Sequence, residues 1–215
     1  MLKKFRTIAV KHIQGNGVIY FFVCMFFIIG ISSGAFIVKA LADYQKQELI
    51  SYMRSFFQIL SNKPIDASSV LKQSLINNLQ TAALIWILGI TVIGMPLILL
   101  LVAIRGLIIG FTVGFLVEQL GMKGILFSLI SIFPQNLLII PSIIVIAVIG
   151  IGFSKMIVQN RLNKSYTSYN MNNSTFKQFI LYSTINASIF FFIIVGSMIE
   201  AYVTPIFMKA LSKYM

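Results

Sequence analysis

Residues 105–141 read RGLIIGFTVGFLVEQLGMKGILFSLISIFPQNLLIIP, and this stretch decides the class of fold. It is apolar over most of its length, but glycines and prolines interrupt it at short intervals. A helix that crosses a bilayer needs about 20 mainly apolar residues. The run from Gly124 to Phe153 would be about 45 Å long as one helix, which is too long for a single unbroken span. The stretch therefore predicts membrane-spanning helices that are broken at Gly and Pro.

The composition of the whole chain supports the same class of fold. Of its 215 residues, 58% are apolar and only 10% are charged, whereas about 25% of the residues of an ordinary soluble domain are charged. So few charges could not cover the apolar surface of a soluble fold. We predict an all-α integral membrane protein, and the composition excludes a disordered chain and a nucleic-acid-binding protein of the usual basic kind.

Hydropathy divides the chain into about five transmembrane helices within one multispanning domain, residues 1–215. The predicted spans cover approximately 18–38, 79–103, 106–121, 124–153 with a break at 134–141, and 179–202. Arg105 is expected at the turn between the second and third spans. The run 124–133 is expected to form a short half-helix before the bend at Pro134.

Between the first two spans lies an amphipathic segment, residues 43–76. Its apolar residues recur at the spacing of one helix face. They are Leu49, Ile50, Met53, Phe56, Phe57 and Leu60. Such a helix lies on a membrane surface, where its apolar face either rests on lipid or binds a partner protein. Both interpretations remain open at this stage.

The distribution of charge predicts the orientation in a bacterial cell membrane. The chain has 17 Lys and Arg residues against five acidic residues. With a cytoplasmic N-terminus, five crossings place residues 1–16, Arg105 and residues 154–177 in the cytoplasm, and these parts contain no acid. The positive-inside rule favours that arrangement. It makes the amphipathic segment and the C-terminus extracytoplasmic.

Motifs of catalytic or cofactor chemistry are missing from the sequence. The one histidine, His12, precedes the first span, and no His/Cys/Asp cluster has the spacing of a metal site. Hydrolase, Walker and dinucleotide motifs are also lacking. We therefore expect a protein that is not an enzyme, with no cofactor and no metal.

Glycines at four-residue spacing mark two helices. Gly30 and Gly34 lie in the first span, and Gly106, Gly110 and Gly114 lie in the third. This spacing lets two helix backbones approach closely. The glycine faces either pack within this chain or contact another subunit or partner. We therefore group Gly106, Gly110 and Gly114 with the amphipathic face as hypothetical partner-binding residues, and a homo-oligomer is one form that such a contact could take.

Polar residues inside or beside the spans are further candidates, because polar groups within a membrane are costly and often functional. They are Asn77, Asn78, Arg105, Glu118, Gln135, Asn136, Asn186 and Glu200. For several of them the alternative is interfacial anchoring or the satisfaction of backbone groups that proline frees.

The order of these features resembles the stage II sporulation protein M family over nearly the whole chain. The resemblance rests on the amphipathic segment, on Asn77-Asn78, on the Arg105–Gly114 glycine pattern and on Phe133-Pro134-Gln135-Asn136 ahead of Pro141. It implies a non-catalytic scaffold in the septal and engulfing membrane of the mother cell of an endospore-forming bacterium. By the same resemblance, its partners would be membrane lipid and two cell-wall hydrolases, the stage II sporulation proteins D and P, which remodel peptidoglycan.

A function of a different class also fits broken helices. Many transporters build a binding site from interrupted spans near the middle of the membrane. Such interruptions could lie at Gly89, Gly94 and Pro96 and at Pro134 and Pro141. The sequence shows no deep pair of ionisable residues and no internal repeat. A small transporter or channel is therefore the alternative hypothesis.

Overall fold

The computed structural model describes residues 13–62, 66–162 and 171–206. Its principal elements are all helices, which confirms the predicted all-α class. They are α1 (Gly17–Ala40), α2 (Asp43–Asn62), α3 (Ala67–Gly89), α4 (Gly94–Leu120), α5 (Met122–Ser131), α6 (Phe133–Leu162) and α7 (Met171–Tyr202).

Within the described ranges, four helices are long and apolar enough to cross a membrane. They cover Gly17–Ala40, Gly94–Leu120, Phe133–Asn160 and Phe176–Ile206. The segment Met122–Ser131 is apolar but shorter. Helix α3 is more polar, because Lys72 and two asparagines occupy its first half. It nevertheless packs against α4, α6 and α7.

Helices α1 and α4 lie side by side and point in the same direction. Gly30 of α1 lies against the backbone of Ala103, and Gly34, one turn later, lies against the backbone of Leu107. The contacts advance along both helices together, which defines a parallel pair. Because α1 and α4 are parallel, the chain must return between them, and α3 provides that return.

Helix α7 runs antiparallel to α3. At the middle of α3, the amide of Asn78 lies 3.1 Å from the Ser197 hydroxyl. Near its end, the Tyr182 hydroxyl donates to the Trp86 carbonyl at 2.8 Å. Residue numbers rise in α3 as they fall in α7, so the two helices point in opposite directions. We call the side where α3 begins the α2 end of the bundle, and the side where α3 ends the turn end.

Helix α6 also runs antiparallel to α7. The Thr204 hydroxyl donates to the side chain of Gln135 at 2.6 Å, and Gly196 lies against Ile139. Taken in chain order, the five helices alternate in direction: α1, α4 and α7 point one way, and α3 and α6 point the other way. Their shared core is made of aliphatic residues, including Val23, Ala82, Ile85, Ile98, Val102, Ile146 and Ile193.

The turn between the second and third predicted spans lies at residues 90–93 and not at Arg105, which corrects the expected boundaries 79–103 and 106–121. Gly94 lies so close to the Leu88 carbonyl that a side chain would not fit. The Ser154 hydroxyl donates to the Thr91 carbonyl at 2.7 Å. Pro96 falls in the first turn of α4, where a backbone N–H is not needed. Arg105 consequently lies inside a continuous helix.

The break in the fourth predicted span also lies elsewhere. Helix α5 ends at Ser131, and α6 begins at Phe133, so the interruption is at Ile132 and not at 134–141. Pro134 occupies the first turn of α6, and Pro141 lies inside that helix. Gly121 joins α4 to α5 with a φ of 58°, a conformation that favours glycine.

Candidate functional site

The strongest candidate site is a polar cluster inside the bundle, toward its α2 end. Asn78 of α3 is its centre and is only 4% exposed. The Arg105 guanidinium of α4 donates through Nη2 to the Asn78 Oδ1 at 2.5 Å. On its other side, the Asn78 Nδ2 lies 3.3 Å from the Glu200 carboxylate of α7. One amide thus bridges a cation and an anion that come from two other helices.

Two serines complete the cluster. The Ser74 hydroxyl donates to Glu200 Oε2 at 2.6 Å, and Ser197 Oγ lies 3.1 Å from the Asn78 amide. Ser74 is one turn before Asn78, so both side chains point from α3 toward α7. Both serines are buried. Neither serine was singled out from the sequence. Ser74 lies four residues before Asn78 and Ser197 three residues before Glu200, and this spacing places each serine on the same helix face as its polar neighbour.

The positions of Arg105 and Glu200 differ from the sequence-based expectation. That expectation has Arg105 at the cytoplasmic turn and Glu200 at the opposite end of a span. The structure places the two in one cluster, because α4 begins at Gly94 and carries Arg105 about 16 Å into the bundle. Charges inside a membrane protein are costly unless they are paired and hydrogen-bonded. The Asn78 bridge provides that pairing.

The two predicted polar residues of α6 have separate partners. Gln135 is buried and accepts a hydrogen bond from the Thr204 hydroxyl at 2.6 Å, which links the start of α6 to the residues just after α7. Asn136 donates through Nδ2 to the Ile132 carbonyl at 2.7 Å. It therefore satisfies a backbone acceptor at the break between α5 and α6.

Asn77 and Asn186 lie apart from these bridges. The Asn77 side chain is exposed and accepts from Gln73 at 3.1 Å. Its carbonyl lies 3.4 Å from the Arg105 guanidinium. Asn186 is only 1% exposed and donates to the Tyr182 carbonyl in its own helix at 2.8 Å. Its Oδ1 has no partner among the described residues.

Glu118, the remaining predicted acid, pairs with the amphipathic helix. The Lys46 ammonium of α2 lies 2.9 Å from Glu118 at the end of α4. Lys46 shares one side of α2 with Ile50 and Met53, at spacings of four and seven residues, and both are half-buried. This side of α2 therefore faces the bundle. Leu49 is half-buried as well, and the side chains of the other three predicted face residues, Phe56, Phe57 and Leu60, lie outside the described part of the structure.

The opposite side of α2 carries two exposed aromatic residues. Tyr44 is 71% exposed and Tyr52 is 66% exposed. With Glu48 between them, they form a stripe at four-residue spacing. We call Tyr44, Glu48 and Tyr52 the outward stripe. Periodicity counted over the aliphatic and phenylalanine residues of the segment does not reveal it, because its members are tyrosines and an acid.

The glycine face of α4 is occupied by α1 of the same chain. An added Cβ would overlap the Phe27 carbonyl at Gly106 and the Ile31 carbonyl at Gly110. At Gly114 it would lie 3.0 Å from the Ala35 Cα. Internal packing, one of the two interpretations of this spacing, is therefore what the structure shows. It corrects the hypothesis that these three glycines are a face left open for a partner.

At the start of α3, Asp66 caps the helix. Its carboxylate accepts from the Ser69 hydroxyl at 2.5 Å and from the Ser68 N–H at 3.1 Å. These two bonds, the hydroxyl first, hold the pKa of the Asp66 carboxyl below its ordinary value. The cap fixes the point at which the chain enters α3 from the α2 side.

The chemistry of the polar cluster is that of a fixed hydrogen-bonded charge pair. Among the described residues, no group of three or more His, Cys, Asp or Glu side chains could hold a metal ion. The cluster instead joins α3, α4 and α7. It can hold these helices in register, and it offers a charged donor, Arg105, to the interior of the bundle.

Comparison with known proteins adds a family match. The family model described as stage II sporulation protein M matches residues 23–205 of the chain. These residues include α2, the polar cluster, all of α4 and most of α1. No curated protein and no solved structure matches the chain.

Proposed function

The chain belongs to the stage II sporulation protein M family, and from that membership we propose that it is a non-catalytic membrane scaffold used in endospore formation. The family match supports a sporulation membrane protein. The finer proposal is that the chain recruits two peptidoglycan-degrading partners, the stage II sporulation proteins D and P. It would do so at the septal and engulfing membrane of the mother cell.

The observation that carries this proposal is the placement of α2. The helix lies at one end of the bundle, where the ion pair between Lys46 and Glu118 joins it to α4. On its other side, the tyrosines of the outward stripe are exposed. Exposed tyrosines are enriched at sites of protein recognition, because they provide large contact area at low cost in conformational entropy.

We propose that partners bind the outward stripe while the apolar side of α2 rests on the bundle and on lipid. The half-burial of Leu49 and Met53 supports this assignment of the two sides. Of the two interpretations that the sequence leaves open for the apolar side, this proposal takes contact with lipid, and it moves the partner-binding surface to the other side. An interfacial helix with one apolar side toward lipid and one polar side toward water is physically stable.

The charges support an orientation in which the α2 end is extracytoplasmic. All five acidic residues of the chain lie in the half of the bundle near α2. In the sequence, residues 1–16 and residues 154–177, on the other side of the predicted membrane, each contain four Lys or Arg and no acid. Lys and Arg are enriched in cytoplasmic loops. A cell-wall hydrolase acts outside the membrane, so this orientation presents the outward stripe where such a partner works.

The test is co-purification from sporulating cells. A tagged chain with Tyr44→Ala and Tyr52→Ala should still insert in the membrane but should lose the two hydrolases. Tyr202→Ala is the matched control, because Tyr202 is also an exposed tyrosine at the α2 end but belongs to α7. Unchanged recovery of both hydrolases with the double variant would contradict the assigned surface. Recovery of the chain alone, even with the unmodified sequence, would count against the scaffold.

Transport remains the second candidate, and one observation favours it. Arg105 and Glu200 come together inside the bundle, although no deep ionisable pair is visible in the sequence. Broken helices and interior charges occur together in many transporters. Flux of ions or small solutes into liposomes that contain the pure protein, abolished by Arg105→Gln, would support transport. Liposomes that stay impermeable with folded protein would argue against it.

A further inference from the structure

Arg105 carries a buried donor that the polar cluster does not use. Its Nη2 donates to Asn78 and lies near the Asn77 carbonyl. Its Nε is buried and has no hydrogen-bond partner among the described residues. Leaving a buried donor unpaired is unfavourable, and more so when the group is charged. Such atoms are rare in native proteins, because ordered water satisfies many of the polar groups that protein atoms leave unpaired.

A small cavity adjoins Arg105 between α1, α4 and α6. Phe27, Val102 and Ile139 form part of its apolar wall, and Arg105 and Asn136 are its two polar lining residues. The space is about that of one water molecule, near the lower limit for a buried water site. The Asn136 Nδ2 already donates to the Ile132 carbonyl. Its Oδ1 is therefore the atom that can serve as an acceptor for the cavity.

We propose that this cavity is a binding site for a single water molecule within the membrane-spanning bundle. The water accepts a hydrogen bond from Arg105 Nε and donates one to Asn136 Oδ1. It thereby satisfies the buried Nε–H group and ties α4 to the first turn of α6. Ordered waters in proteins typically make two to four such bonds.

Charge and size exclude other occupants. The positive charge of Arg105 is already balanced by Glu200, through the Asn78 bridge. A bound anion would add an uncompensated charge in a region of low dielectric constant, which is strongly unfavourable. A lipid chain is too large for the space. Water is small, neutral and able to accept and donate at once.

The test is water-edited solid-state NMR on the full chain in liposomes, with arginine labelled by nitrogen-15. The chain has four arginines, Arg6, Arg54, Arg105 and Arg161, and Arg105→Lys identifies the Arg105 Nε–H signal by its disappearance. At short mixing time, this signal should receive magnetisation directly from water. An Arg105 Nε–H signal that receives none would overturn the proposal without any further variant.

Two substitutions on α6 locate the water. Asn136→Leu removes one of its two partners, so the water-transferred signal of Arg105 should be lost while the directly excited signal remains. Ser142→Ala is the matched control, since it removes another polar group of α6, one that donates to the Leu138 carbonyl of its own helix; it should leave the transfer intact. Transfer that persists in Asn136→Leu would overturn the assigned site. If that variant does not fold, Ile140→Phe, which enlarges a side chain that lines the cavity, should abolish the transfer.

Discussion

Gly110 of α4 lies directly against the backbone carbonyl of Ile31 in α1, with no space for a side chain between them. This contact belongs to a series of glycine contacts along two parallel helices. In lipid, the hydrophobic effect does not drive helices together, so close van der Waals packing of backbones supplies much of their association. The pair α1 and α4 is thus a closely approached part of the bundle. Because Arg105 directly precedes Gly106 in α4, the contact of Gly106 with α1 also sets the depth of Arg105 in the bundle.

Gly110→Leu should separate α1 from α4 and destabilise the protein by at least about 1–3 kcal/mol, the usual cost of overpacking. A thermal melt in detergent, followed by size-exclusion chromatography, measures the effect. Gly152→Leu is the control, because nothing lies within 4 Å of a Cβ added there. Equal melting temperatures for the two variants would contradict the described packing.

Asn78→Leu should destabilise the bundle more than Asn77→Leu. Asn78 is buried and bridges Arg105 to Glu200, so its loss leaves two charged groups short of partners, at a cost of about 1–3 kcal/mol or more. The Asn77 side chain is exposed, and its change should cost less than about 0.5 kcal/mol. Unfolding in a denaturant series compares the two variants, and a larger loss for Asn77→Leu would refute the bridge.

Charge reversal at Lys46 and Glu118 tests whether the attraction between the two charges positions α2, independently of which residue carries which charge. Lys46→Glu or Glu118→Lys alone places like charges together and should increase the distance between α2 and the end of α4. The double variant should restore the distance. Spin labels at Ser51 and Met122 would report it. The energy involved is about 0–1 kcal/mol, because both side chains are partly exposed. A double variant that behaves like the sum of the singles would show that the ion pair does not position α2.

The Asp66 cap should lose strength in acid. Its folded-state pKa lies below the ordinary value because the carboxylate accepts from Ser69 and Ser68. The stability that it contributes is therefore complete above the unfolded pKa and is lost as the pH falls through the folded pKa. The difference in melting temperature between the unmodified chain and Asp66→Ala should shrink below about pH 4.

Titration of Asp66 in a Ser69 variant tests whether the Ser69 hydroxyl lowers the pKa of the Asp66 carboxyl. In Ser69→Ala, the Asp66 carboxyl loses the first of its two partners, so its pKa should rise toward the ordinary value. Carbon-13 NMR of labelled aspartate would follow the titration directly. An unchanged Asp66 pKa in Ser69→Ala would show that the hydroxyl does not stabilise the carboxylate.

Several features of the fold were predictable because they depend on short stretches of sequence. Long apolar runs made α1 and α7 recognisable as membrane helices, and they marked the regions of α4 and α6 as membrane-spanning, although the predicted boundaries there were wrong. The periodicity of residues 49–60 identified α2 as amphipathic. The Asp66 cap was also predictable, since an aspartate before a helical run has a local hydrogen-bonding role. Glycine at every fourth position indicated close helix packing, although not with which helix.

The positions of the turns were harder to predict. Charge marked Arg105 as a helix end, because an arginine within a span is normally unfavourable. The chain instead turns at residues 90–93, where Gly89 and Gly94 allow close approach and Ser154 of another helix supplies the hydrogen bond that the turn needs. That bond joins residues far apart in sequence, so no local pattern could reveal it.

The sequence by itself therefore determined the all-helical membrane class, the amphipathic character of α2 and the presence of glycine faces that allow two helices to pack closely. Only the tertiary structure decided that α1 covers the glycines of α4, that Asn78 joins Arg105 to Glu200, and that Lys46 turns the apolar side of α2 toward the bundle. The physical reason is that composition and periodicity act within one helix. The partner of each polar or small residue depends on the rotation and vertical offset of whole helices, which packing of the complete bundle sets.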